Sequence, residues 1–325
     1  EWDEEYGLVD LEDYVQDPKW GLSLSKQDDF FPGMWDSGLK GNKRLALPAE
    51  RFAQVLIYNQ SLGRELGFDK LPATSEEFME QMCAAAQKMK QDDRVANDFM
   101  GGWIISTDYA AVLSWLYAFG SQIWIDDGYL FNSAQVQNAF HYLKELLDEG
   151  CAWEASTTPP MTEFASRQGL AATLSVSDLS FQNKVIRRLG NRDDWTVIPY
   201  TSANGRQAIA VYGLSFSILP SNPERQLAAW LWLKWFLEPP QQNSWIGSRE
   251  SLPLSKTDRQ ELTSEMTVQW AAAASLLDQS QPEPSLASWK TVRWALSDAA
   301  VQLFRYYFTI EEIPDLTGLL NRTAD

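Results

Sequence analysis

Residues 45–59 read LALPAERFAQVLIYN. Leu45, Ala46 and Leu47 form a short apolar strand stopped by Pro48, and Val55, Leu56, Ile57 and Tyr58 form a second, closed by Asn59. Between them Ala49, Glu50, Arg51, Phe52 and Ala53 mix both charges with an aromatic and follow neither a helical nor a strand period. There is no Asn-Gly or Gly-Xaa pair to close a tight hairpin. A strand–polar–strand unit without turn chemistry reads as chain passing between two sheets, the alternative being an ordinary β–loop–β of an unrelated α/β protein. Pockets sit preferentially at inter-domain crossings. Glu50, Arg51 and Phe52 are therefore candidate ligand-binding residues.

The chain around this stretch has 325 residues, a length that fits roughly two domains. Its net charge of −17 argues against nucleic acid, which needs a basic footprint. Fifteen tryptophans are spread along it; most are expected to anchor cores, while carbohydrate binders also use such rings as flat platforms. No apolar run is long enough to span a bilayer. The opening residues 1–5, EWDEE, are the reverse of a secretory leader, so the leader was removed or the chain starts late. Cys83 and Cys151 have no metal spacing and read as buried small hydrophobes, with a disulfide between neighbouring helices as the second reading.

No GxSxG, P-loop, dinucleotide-binding or HExxH motif is present. The single histidine, His141, lies between apolar residues of a helix and reads as structural. No catalytic residue, metal site or cofactor is expected, although 44 carboxylates leave a glycosidase pair open on composition alone.

Along the chain, Thr74 reads as an N-cap, with Glu76 and Glu77 in the first turn of a helix that packs through Phe78, Met82 and Ala85. Residues 101–105 form a strand, 106–109 a polar loop and 110–119 a helix. An α/β sheet presents ligand groups in this geometry, which makes Asp108 and Tyr109 candidates; an Asp N-cap beside a surface Tyr is the competing reading. A helix spans 133–150, a strand 169–174 precedes Ser177 and Asp178, and another strand covers 195–199. Residues 208–218 read as one long β run whose internal Gly213 marks a close approach, so Tyr212 and Gly213 join the candidates. The helix at 226–237, with Trp230, Trp232 and Trp235, is apolar nearly all round and reads as heavily buried, ending at Pro239 and Pro240. Helices at 267–277, about 288–308 and 310–322 close the chain.

Several of these segments, in order, match weak patterns of one family. They are Leu47-Pro48 followed by Leu56-Ile57-Tyr58-Asn59, then Phe119-Gly120, then Phe164, Gly169 and Ala172 around a strand, an apolar strand ending at Pro199, and Ser251-Leu252-Pro253. Together they resemble bacterial extracellular solute-binding proteins, family 1, the sugar-binding components of ABC transporters. The resemblance implies an α/β, periplasmic-binding-protein-like (type II) fold of two lobes joined by a multi-crossing hinge. It divides the chain into 1–47 with 212–256 and 48–207 with 257–325, with crossings near 47–50, 207–213 and 251–257. In the family a βαβα segment precedes the matching part, so the N-terminal lobe is expected to be incomplete, with a sheet edge exposed unless something covers it.

Where the family often has a tryptophan this chain has Asp178, which leaves a hydrogen-bonding role to Ser177 and Asp178. Trp289 is the expected stacking residue, against a core role for the same ring. The implied function is a non-catalytic, monomeric, extracytoplasmic receptor that binds a carbohydrate between its lobes, passes it to ABC permease subunits, and carries a lipid anchor in its full-length form. Glycerol phosphate stays open through Arg51. The alternatives are a carbohydrate-active enzyme and a truncated family member acting through protein contacts.

Overall fold

The two strands read in residues 45–59 enter different sheets: Leu47–Pro48 pairs antiparallel with Ser215–Phe216, and Gln54–Asn59 joins a five-stranded sheet. The computed structural model describes residues 7–125 and 128–324; the acidic residues 1–5 lie outside them, as do Asp126 and Asp127, whose sequence with Gly128 is that of a turn. The chain divides into two units, Glu1–Ala53 with Val211–Ala287 and Gln54–Ala210 with Ser288–Asp325, and passes between them at 53/54, 210/211 and 287/288. Residues 48–53 and 257–287 therefore group with the first unit, where the sequence reading placed them with the second. Backbone bonds explain this. Ala49 N donates to Leu214 O (2.9 Å), Leu252 N to Arg51 O (2.7 Å) and Phe31 N to Leu254 O (3.1 Å). The expected crossing at 251–257 is thus an internal segment of the first unit.

The second unit is built on five strands: β1 (Gln54–Asn59), β2 (Gly101–Ile104), β3 (Ala152–Trp153), β4 (Gly169–Ser175) and β5 (Trp195–Ile198). Their order is β5-β1-β4-β2-β3, with β2, β3 and β4 parallel and β1 antiparallel to both β4 and β5. Val55 faces Leu174 and Ile57 faces Ala172, while Trp103 aligns with Ala171 and with Ala152. β1 and β4 are buried on successive residues rather than alternate ones. Sheets covered on both faces read as unbroken apolar runs for this reason.

Among the described residues the helices of ten residues or more in this unit are α1 (Ser75–Lys90), α2 (Tyr109–Ala118), α3 (Ala134–Asp148), α4 (Leu179–Arg188), α5 (Trp289–Leu303) and α6 (Ile313–Ala324). Thr74 caps α1 by accepting from Glu77 N at 3.2 Å, and Ser133 caps α3 through Val136 N. α1 lies tightly on β2 because Gly101 and Gly102 present no side chain: a Cβ on either would collide with the carbonyls of Ala85 or Cys151. Cys83 of α1 and Cys151, just before β3, form a disulfide. This replaces the reading of two buried thiols, and the bond joins a helix to the bend that leads into a strand rather than two helices. α2 is buried along its whole length. Its Trp115 meets Trp103, Phe78 and Tyr200 edge-on at 5.1–6.0 Å, the arrangement favoured by ring quadrupoles.

In the first unit the strands among the described residues are two or three residues long. The β run read over 208–218 is two strands, Gln207–Val211, which but for Val211 belongs to the second unit, and Ser215–Phe216 of the first, broken at Gly213. Gly213 has φ +148°, and a Cβ there would run into the Glu50 carbonyl. The helix Pro223–Phe236 buries Trp230, whose indole donates to Trp20 O at 2.9 Å. Trp232 and Trp235, read as core, are 47% and 52% exposed. Pro239 and Pro240 do not simply end that helix; they occupy the first turn of a second one, Pro239–Arg249, where a missing N–H costs nothing.

Candidate functional site

Because β2, β3 and β4 are parallel, their carboxyl ends share one edge, and the antiparallel pairing of Gln54 with Ser175 brings the start of β1 to the same place. A cavity of about 340 Å³ opens there, wholly within the second unit. The loop after β2 supplies Ser106, Thr107 and Asp108; the loop after β3 supplies Glu154, Thr157 and Thr158; β4 and its end supply Thr173, Ser175 and Asp178. α5 closes the wall with Trp294 and Ser297. Three carboxylates, a ring of hydroxyls and one large aromatic thus converge, and among the described residues no lysine or arginine lines the space.

Asp108 caps α2, its Oδ1 accepting from Ala110 N at 2.8 Å, and it also faces the cavity. Tyr109, expected at the surface in the N-cap reading, is buried, while that reading holds for Asp108 itself. Burial pushes its carboxyl above the usual carboxylate range, against the pull of the Ala110 and Ala111 amides and the Arg293 guanidinium. Thr173 Oγ1 is buried with no hydrogen-bond partner among the described residues, so the cavity wall holds an unspent polar atom.

The aromatic support lies beneath. Tyr109 is buried and meets Trp289 and Trp294 edge-on at 6.1 and 6.0 Å, with the Arg293 guanidinium over the rings of Tyr109 and Trp294 at 5.4 and 5.2 Å. Trp289 is only 5% exposed and stacks on Tyr129 at 6.3 Å, so its faces are already covered. The core alternative for Trp289 describes its place. Trp294 is 56% exposed and lines the cavity. Ser177 is bonded to Ser175 at 2.8 Å, beside Asp178.

The other candidates gather in the first unit. Arg51 is buried and gives its guanidinium to the carbonyls of Glu50 and Leu214 and to the hydroxyls of Ser37 and Ser215 at 2.5 and 2.8 Å. Burial pulls its pKa down to about 10, against the opposing pull of Glu283 and Glu50. Glu50 is buried too and accepts from Trp245 Nε1 at 3.1 Å and from Arg249 at 3.3 Å. Both terminal nitrogens of the Arg51 guanidinium, the group read for glycerol phosphate, are thus engaged in holding this segment, as is the Glu50 carboxylate. Phe52 and Tyr212 exchange backbone bonds at 2.7 and 3.0 Å and set their rings 6.3 Å apart, next to Gly213. The structure therefore brings Asp108, Ser177, Asp178, Tyr109 and Trp289 together in one unit and Glu50, Arg51, Phe52, Tyr212 and Gly213 in the other.

The sequence model of the bacterial extracellular solute-binding proteins matches residues 6–275. The chain belongs to that family. No curated relative matches it in sequence at significant similarity. Among solved structures this solute-binding protein is similar to the sugar-binding protein MalE from Xanthomonas citri, at TM-score 0.83 and 18% identity over 98% of this chain and 79% of that one. It is also similar to the cyclic α-maltosyl-1,6-maltose binding protein of Arthrobacter globiformis, at TM-score 0.81 and 16% identity over 99% and 81%. UgpB from Mycobacterium tuberculosis, solved with glycerophosphocholine, matches at TM-score 0.69 and 14% identity over 98% and 78%. These likenesses establish the type II periplasmic-binding-protein fold.

Sequence reasoning missed Trp294, Glu154, Thr173 and Ser297 of the solute-binding protein's cavity. Trp294 carried a usable signal. Val292, Leu296, Ala299, Ala300 and Leu303 mark the inner face of α5, Trp289 is in phase with them, and Trp294 is not. Glu154 and Thr173 had none, since their convergence depends on the sheet order.

Proposed function

We propose that this chain is the receptor of an ABC importer and that its solute is a neutral carbohydrate of more than one ring. The observation that carries the reading is the cavity of the second unit, where carboxylates and hydroxyls surround one exposed indole and, among the described residues, no lysine or arginine lines the wall. Hydroxyls donate to and accept from sugar hydroxyls, carboxylates accept from them, a tryptophan face covers the apolar face of a pyranose, and three carboxylates in the wall oppose an anion. The sugar-binding neighbours from Xanthomonas citri and Arthrobacter globiformis support the same class. In this reading the ring that stacks is Trp294, and Asp108, Glu154 and Asp178 take the hydroxyls. Tyr109 and Trp289 hold that wall from behind.

The protein acts outside the cytoplasm. Its disulfide suits an oxidising compartment, and among the described residues no helix is long and apolar enough to cross a membrane. We take the passages at 53/54, 210/211 and 287/288 as the hinge, and the receptor as a monomer that binds no nucleic acid, turns over no substrate, and is lipid-anchored in its full-length form. Calorimetric titration with neutral mono- and oligosaccharides tests this. Binding without product, weakened at least tenfold in Trp294→Ala, supports it; binding only of anionic solutes, or release of shortened sugars, refutes it.

A further inference from the structure

We propose that the polar cavity continues as a groove along the outer face of α5 and ends at Tyr306 and Tyr307, a second stacking platform that selects linear oligosaccharides over short ones. The proposal rests on the carbohydrate reading above and adds the length of the ligand to it.

A second cavity, of about 380 Å³, lies beside the first and shares Thr107 and Glu154 with it. Its far wall is Val301, Phe304, Arg305, Tyr306 and Tyr307. Trp294 and Ser297 of the first cavity and Val301 of the second are three and four residues apart, so one stripe of α5 runs under both. From Trp294 to Val301 the helix rises about 10 Å, longer than one sugar ring. Glu154, where the cavities meet, is exposed and can accept hydroxyls from rings on either side.

The far end is built for a flat partner. Tyr306 is 92% exposed and Tyr307 56%, their rings edge-on at 5.4 Å. Neither ring is needed by the core, which receives Phe304 and Phe308 on either side of them. The loop beneath is nevertheless held. Lys144 of α3, fully buried, bonds Asp148 at 2.6 Å and reaches the Arg305 carbonyl at 3.4 Å. An anchored backbone carrying two open rings meets a ligand with little ordering cost. The Arg305 guanidinium, 5.9 Å over the Tyr307 ring, braces the second ring.

The test is calorimetry on the intact protein with maltose through maltohexaose and cellobiose through cellohexaose, comparing the wild type with Tyr306→Ala/Tyr307→Ala. The expected result is an affinity for one series that rises about tenfold or more from di- to hexasaccharide, the scale of one stacked ring. The double variant should keep the disaccharide affinity and lose the rise. Equal wild-type affinity for short and long sugars, or a rise that survives in the variant, overturns the extended groove and leaves the carbohydrate reading standing. No binding to either series overturns both for these sugars. Because Tyr306 and Tyr307 lie outside the core, melting temperature should not move, and a fall would show that the rings serve the fold instead.

Discussion

Removal of the Cys83–Cys151 bond, by Cys83→Ala/Cys151→Ala or by reductant, should cost the second unit about 4 kcal/mol. The cysteines are 68 residues apart in sequence, and the closed loop contains β2, α2 and α3. In the chain-entropy account a cross-link over a loop of this length removes about 15 cal/mol/K of freedom from the unfolded chain, or about 4 kcal/mol at 25 °C. The folded state loses little beyond the bond. The Cys151 backbone keeps its bonds to Leu146 O and from Trp103 N, both 2.9 Å. Urea denaturation of oxidised and reduced protein, followed by tryptophan fluorescence and far-UV circular dichroism, measures the difference. The reduced form should unfold at lower urea with a steeper dependence, since its unfolded chain exposes more surface. A loss below about 1 kcal/mol with an unchanged slope would refute the argument, because the loop would then be constrained by residual structure rather than by the bond.

Trp289→Ala and Trp294→Ala should part company. The first removes a buried ring and should cost about 3–5 kcal/mol of stability; the second should leave melting almost unchanged while weakening sugar binding, as read by calorimetry and thermal shift. Asp258 is buried beside Ser255, which donates to it at 2.7 Å, and burial pushes its carboxyl up to about 6. A raised carboxyl pKa means the fold prefers the protonated form, so this group penalises folding above pH 6 and the penalty fades as pH falls from 6 towards 4. Asp258→Asn should therefore stabilise the protein by roughly 1–3 kcal/mol at pH 8 and by almost nothing at pH 4; an equal effect at both pH values would contradict this. Gly213→Ala should destabilise the first unit by more than about 1 kcal/mol in denaturant, since both the backbone angle and the Glu50 carbonyl oppose a side chain there.

Local signals carried the second unit far. Thr74 and Ser133 announced α1 and α3 because a capping oxygen before an apolar period is a property of neighbouring residues. The strand at 101–104 and the helix behind Asp108 were legible for the same reason, and Asp108 was found through them. The order β5-β1-β4-β2-β3 was not legible, and with it went Glu154 and Thr173, whose meeting depends on strands far apart in sequence. The tryptophans misled in opposite directions. Trp232 and Trp235 look like core in an apolar helix yet face out, and Trp289 looks like a platform yet is covered, because composition does not say which side of a helix a neighbour occupies. Arg51 shows the same limit for charge: a cation at a crossing can be wholly consumed by carbonyls of its own segment.

α5 assigns its two sides to different tasks. Val292, Leu296, Ala299 and Leu303 answer to the interior, while Trp294, Ser297 and Val301 border open space. Changes on the outer stripe are therefore released from the volume constraint that governs a close-packed interior. If the proposed site is the binding site, a lineage carrying this helix could alter its solute by surface substitutions there, without first passing through a weakened fold.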